Sequence, residues 1–187
     1  RNSRDENKKI KNGVIPEEWE KPENKSKLAQ KDIDADWTKK NGERHFGYKD
    51  HVKCDADSKL ITNYSVTSAS VHDSQRCLVF IGQEDEVLYA DSAYSGKPIA
   101  LALPENCKNQ ICEKGYRNSP LTSEQKMNNR RKSRIRCRIE QIFGFMTGAM
   151  HGITIRSIGI TRAWMNIGIT NLVYNFCRYS YLKRASA

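Results

Sequence analysis

The stretch DEVLYADSAYSG, Asp85 to Gly96, sets a short apolar run, Val87 to Ala90, directly in front of Asp91, with Tyr94, Ser95 and Gly96 just beyond. The length of the run and its Val and Tyr content predict a strand over 86–91. Asp is out of place there. It is depleted from strands, and its charge is costly to bury unless it is paired or bound to metal. Spacing alone reads Asp91 as a turn residue or a helix cap. A sheet that aims it at a cation is the sharper reading.

Working outward, HFGYKDHVKC (45–54) alternates, DADS (55–58) is turn chemistry, and LITNYSVTSAS (60–70) is rich in Thr, Val, Ile and Tyr. Together they predict a hairpin. VHDSQRCLVFIG (71–82) predicts a short helix closed by Gly82. After Asp91, SGKPIALAL predicts a helical turn or two with Ser95 as N-cap, and NQICEKG (109–115) a weaker strand. Pro120, Thr122 and Gln125 predict a capping-box start to a long helix, whose apolar stripe is Ile135, Ile139, Ile142, Phe143 and Met146. A last helix, about 161–182, carries Met165, Ile169, Leu172, Val173 and Phe176 at the same spacing. Strands followed by helices, with one strand after a helix, predict an α/β or α+β sheet domain. Residues 1–43 are charge-rich and without a sustained period, and predict an extended, partly disordered arm that Trp19 and Trp37 could pin to the body.

Charge is unevenly placed. The 187 residues carry a formal net +10, yet residues 116–187 hold 13 Lys and Arg against 2 Asp and Glu, and residues 1–115 hold 19 against 20. That asymmetry favours a polyanionic partner, nucleic acid first and an anionic membrane surface second. No apolar run is long enough to span a membrane. The opening RNSRDENKKIKNG has neither an initiator Met nor an apolar signal segment, so a fragment of a cytoplasmic protein is the expectation. The six cysteines show neither zinc spacing nor a Cys-x-x-Cys pair, and are read as reduced thiols.

On a helical wheel Glu140 falls four residues after Arg136 at the border of the apolar stripe, the lone acid among Arg130, Arg131, Lys132, Arg134 and Arg138. The plain reading is an i,i+4 ion pair. The other pairs Glu140 with Asp91: a strand-end Asp and a helical Glu suit hard Mg²⁺ or Mn²⁺, which take a few carboxylates plus substrate phosphates.

The segments GYKDHV, TSASVHDSQ, YADSAYSG and RCRIEQIFG resemble successive motifs of bacterial insertion-sequence transposases of the DDE type, and RNSRDEN, PEEWE and DADWTKKNG resemble the segment before the core in one branch of that group. The resemblance runs from Arg1 to about Leu182. It implies an RNase H-like mixed α/β sheet flanked by helices, with a charged arm or insertion over 1–43 and the catalytic core over 44–187. It implies that Asp91 and Glu140 are the second and third acids of a metal-binding, catalytic triad. The first acid would lie upstream of the segment matching RNSRDEN, so the first strand is expected to be truncated and the chain inactive alone. Asp32, Asp34 and Asp36 belong to a different segment and are not promoted. Lys49 and His51 match a YKxH motif, and with Arg131, Lys132, Arg136 and Arg138 are expected to contact DNA. His72 and Asp73 match an HD motif. The implied parent reaction is Mg²⁺- or Mn²⁺-dependent cleavage and strand transfer on double-stranded transposon ends and target, in the cytoplasm at the nucleoid. A homodimer of the full-length protein is left open. The rival readings are a DNA-binding remnant without catalysis and an RNase H-like nuclease of another role.

Overall fold

A computed structural model describes residues 1–40 and 42–186; Asn41, within DADWTKKNG, and Ala187 lie outside the described residues. Helices are α1 (Arg4–Lys11), α2 (Glu17–Glu20), α3 (Lys25–Ala29), α4 (Ser74–Phe80), α5 (Lys97–Ala102), α6 (Ser123–Arg136), α7 (Arg138–Gly148) and α8 (Ile160–Ala185). Strands are β1 (Asp36–Lys40), β2 (Glu43–Cys54), β3 (Ile61–Ser68), β4 (Val87–Leu88) and β5 (Lys108–Asn109). The fold is mixed α/β, the expected class and compatible with an RNase H-like architecture. A three-stranded sheet has the order β1-β2-β3, and β4 and β5 form a second, parallel pair. The chain divides into two compact units. One comprises Arg1–His51, Ser65–Val71 and Thr154–Thr170; the other comprises Val52–Tyr64, His72–Ile153 and the residues from Asn171 onward.

In the first unit, the segment expected to be an extended arm is folded. Ser3 caps α1 and Glu6 closes a capping box by accepting the Ser3 amide. Glu6 also accepts from Trp19 Nε1 at 3.1 Å and from Lys31 Nζ at 2.9 Å. Burial raises its carboxyl pKa, but the Ser3 amide, Lys31 and Trp19 outweigh that and bring it to about 2. Trp19, 1% exposed, is the apolar centre around which this charged segment turns. The charge density that suggested disorder sits outside that centre, and the Ser3-x-x-Glu6 signature was already present in the sequence. Trp37 on β1 donates to Asn2 C=O at 2.9 Å and packs on Phe46 of β2, 5.2 Å between centroids. β1 and β2 are antiparallel, with Lys40 opposite Glu43, and Gly42 between them has φ +87°, a conformation glycine enters without a Cβ clash.

The three early aspartates are each engaged within the first unit. Both Asp32 oxygens accept from the Tyr48 hydroxyl, at 2.8 and 2.7 Å. Asp34 accepts the Ile160 amide at 2.9 Å, at the start of α8. Asp36 is buried between Lys11, at 2.6 Å, and the Asn7 amide, also at 2.6 Å.

In the second unit, the β2–β3 turn is closed by the Asp55 amide on Leu60 C=O and by Ser58 on Asp55 Oδ1. The core packs Ile61, Ile142, Met146 and Tyr174, with Ile139 and Phe143 against them. The expected stripe therefore packs into the core from Ile139 to Met146, with Ile142 and Met146 buried, but the helix is two. At Cys137, ψ is −9°, and its Sγ donates to Arg134 C=O at 3.2 Å, the carbonyl that the Arg138 amide would take in an uninterrupted helix. A side chain competing for a ladder carbonyl is a sufficient cause for the break.

The α8 stripe is a second correction. Met165, Ile169, Leu172, Val173 and Phe176 are 42–64% exposed, and the buried positions are Ala163, Ile167, Asn171 and Tyr174. Both sets have helical spacing, so periodicity alone could not choose between them. Polar anchoring decides it. In the second unit Tyr174 donates to Lys59 C=O at 3.0 Å. Asn175 both donates to Ile61 C=O and accepts its amide, each at 2.8 Å.

Candidate active site

β4 is longer as a ladder than as a named strand. Lys108 N–H donates to Glu86 C=O, Gln110 N–H to Leu88 C=O and Cys112 N–H to Ala90 C=O, at 2.9–3.0 Å. This every-second-residue pattern is that of a parallel pair. Asp91 is the next residue, so the expected strand-end position is observed. It is exposed, so no desolvation penalty arises. It caps the 3₁₀ turn Ser92–Tyr94: Oδ1 accepts the Ser92 amide at 2.6 Å and the Ser92 hydroxyl at 3.3 Å. No described residue donates to Oδ2. Tyr94 is half-buried beside Cys77, Ile99 and Ile111. Burial, then the charges of Asp73, Cys77 and Asp91, push its phenol up to about 12. Asp73 stands at the N-cap position of α4, and His72 Nδ1 lies 2.8 Å from the Ser74 hydroxyl.

Glu140 lies in the first turn of α7 with its side chain 61% exposed, and its Oε1 accepts from Arg136 at 2.8 Å. The ion pair read from spacing is present, spanning the Cys137 break. Asp91 and Glu140 belong to the same unit. The helix leading to Glu140 is stitched to the strand beside Asp91 at three points. Asn129 both donates to Glu113 C=O, at 3.0 Å, and accepts its amide, at 2.9 Å. Lys132 Nζ donates to Ile111 C=O at 2.9 Å, and Ser133 Oγ lies 3.7 Å from Cys112 Sγ. Sequence reasoning missed this seam: it gave Asn129 no role and read Lys132 as a DNA contact.

The other expected DNA contacts are placed as follows. His51 is buried in the first unit, with Nε2 2.8 Å from the Thr67 hydroxyl, and Lys49 donates to Val71 C=O at 2.8 Å. Arg138 donates to Ala56 C=O and pairs with Asp57 at 3.2 Å. Arg131 is exposed and engages no described residue. Among the described residues, no three His, Cys, Asp or Glu side chains cluster as a metal site, and no helix is long and apolar enough to cross a membrane. All six cysteines are free.

A family model described as transposase DDE domain matches residues 16–176. The chain belongs to the DDE transposase family. The match takes in 16–43, most of the segment read as preceding the core, and both Asp91 and Glu140. Among curated proteins, the chain is similar to the "Transposase for insertion sequence element IS1106" of Neisseria meningitidis serogroup B, 34% identical over 117 residues. That alignment covers 61% of this chain and 40% of the relative, so the matched stretch spans well under half of that transposase. No solved structure matches.

Proposed function

We propose that this chain forms part of the catalytic core of an insertion-sequence transposase, in which Asp91 and Glu140 hold divalent metal at the scissile phosphodiester of double-stranded DNA. The observation that carries the reading is the placement of Asp91, exposed at the C-terminal end of a parallel strand with Oδ1 fixed by Ser92 and Oδ2 open. The donor set fits a hard cation: two exposed carboxylates, each with one oxygen free of described partners, leave the other positions for water and phosphate oxygens. Bound there, such ions would supply an activated nucleophile and neutralise charge at phosphorus. Asp91 would hold its side of the site rigidly because the Ser92 amide fixes its rotamer. Arg136 would orient Glu140 and, when phosphate arrives, offer it the guanidinium. A full site needs a further carboxylate. Asp32, Asp34 and Asp36 are engaged by Tyr48, Ile160 and Lys11 within the first unit, and none is proposed for that role.

The absence of a three-ligand cluster among the described residues favours a second reading, DNA binding by this chain without catalysis. Mn²⁺ titration followed by electron paramagnetic resonance separates the two. Under the metal-site reading the unaltered chain binds Mn²⁺, and Asp91→Asn and Glu140→Gln each weaken binding at least tenfold. Equal Mn²⁺ affinity in all three proteins, or none in any, leaves DNA binding alone. In the full-length transposase, either substitution is expected to abolish nicking of a transposon-end duplex.

A further inference from the structure

The cations of α6 fall into two sets. Lys132 and Arg136 are engaged by Ile111 and Glu140. Lys126, Arg130, Arg131 and Arg134 are exposed, and the side chain of none forms an ion pair or hydrogen bond with a described residue. Three of these four stand at i, i+4 and i+8, which places them in one row along the helix, spanning about 12 Å. The row borders an open recess that also includes Leu121, Asn129 and Ser133.

We propose that the row Lys126–Arg130–Arg134, flanked by Arg131, is a track for the sugar-phosphate backbone of one nucleic-acid strand. The proposal rests on the reading that this chain acts on DNA, and assigns the contact to residues other than those around Glu140. Like charges at i,i+4 destabilise a helix, and this row holds two such pairs in succession. The lone acid of α6, Glu124, lies at its start. The fold therefore keeps an uncompensated cationic edge that a polyanion would neutralise. The edge is also pre-set: Asn129, Lys132 and Ser133 fasten the adjacent face of α6 to residues 111–113, so a strand of phosphates meets fixed charges. A strand carries one phosphate per about 3.4 Å of axis, so three cations over about 12 Å can each meet a different phosphate. An anionic membrane is a poorer partner, because α6 has no buried residue and no apolar face to lay into lipid. The exposed guanidinium and ammonium groups reach phosphates rather than base edges, so the track carries no sequence preference.

The test is fluorescence anisotropy of a labelled duplex with the 187-residue chain across a salt series. Three proteins are compared: the unaltered chain, the triple variant Lys126→Gln, Arg130→Gln, Arg134→Gln, and a control with equal charge loss, Arg156→Gln, Lys183→Gln, Arg184→Gln. Gln preserves helix propensity, and the three α6 side chains have no partners among the described residues to lose. Each lost phosphate contact lowers the slope of log K against log salt by about 0.9, so the triple variant should lose about 2.7. A fourfold rise in salt should then weaken it about 40-fold less than the unaltered chain. The control should lose less than about 1. An unchanged slope in the triple variant, or an equal loss in the control, overturns the track while leaving the DNA reading intact. No binding by the unaltered chain at low salt overturns the DNA reading itself. Tighter binding to vesicles rich in phosphatidylserine than to the duplex makes the row a lipid contact and overturns the proposal.

Discussion

Replacing Asn129 by Ala should loosen the seam that connects the Asp91 strand to the helix leading to Glu140. The side chain serves both backbone groups of Glu113, at 2.9 and 3.0 Å, as a neighbouring strand would. Truncation leaves an amide and a carbonyl without these partners. Both bonds are half-buried, so water recovers part of the loss, and about 1 kcal/mol per bond is a fair value. The gain in helix propensity from Asn to Ala returns roughly 0.5 kcal/mol, for a net loss of about 1.5 kcal/mol. In a chain of this size that is about 3–6 °C in Tm. Urea unfolding followed by circular dichroism reads it as a fall in midpoint at constant slope. Asn128→Ala, one position earlier and with no described hydrogen-bond partner, is the internal control and should be neutral or slightly stabilising. If the two variants unfold within about 0.5 kcal/mol of each other, the seam contributes no stability and the argument for a pre-set α6 fails with it.

Three other outcomes follow from the same structure. Ile142→Ala removes a fully buried side chain two residues after Glu140 and should cost about 2–5 kcal/mol, seen as a large drop in urea midpoint; a loss below about 1 kcal/mol would contradict the core assignment. Glu6 has a folded pKa of about 2 against an ordinary 4.5, so its contribution is complete above the ordinary value and is lost as pH falls from there through the folded value. Glu6→Gln should therefore flatten the decline of Tm over that acid range, and an identical decline in the variant would refute the Glu6 hub. Asn175→Leu should unfasten α8 from the edge strand at Ile61, visible as faster hydrogen exchange at Ile61 than at Val66; unaltered exchange at both would refute that clamp.

The strand-end aspartate, the hairpin and the Thr122 capping box could be read from the sequence because each depends on neighbours a few residues apart. The folded first segment could also have been read, from Ser3-x-x-Glu6, but the surrounding charge masked it. What could not be read was set by distant partners. Nothing local to Asn129 or Lys132 announces residues 111–113. The face of α8 that turns inward is chosen by Tyr174 and Asn175 meeting residues 59–61, more than a hundred positions away. The break between α6 and α7 lies between these cases: a lone Cys in a helical run is no breaker by propensity, and only its bond to Arg134 makes it one.

The outward side chains of α8 give the isolated chain a colloidal problem as well as a shape. Met165, Ile169, Leu172, Val173 and Phe176 expose an oily ridge, and the counterweight is mutual repulsion between molecules of net charge +10. Salt shortens the range of that repulsion while leaving the ridge as oily as before. Concentrated chain should therefore stay dispersed at low ionic strength and cloud as salt rises, the reverse of ordinary salting-in. Under the proposed DNA reading, the buffers that would release the chain from DNA are then also the ones in which it is hardest to keep in solution.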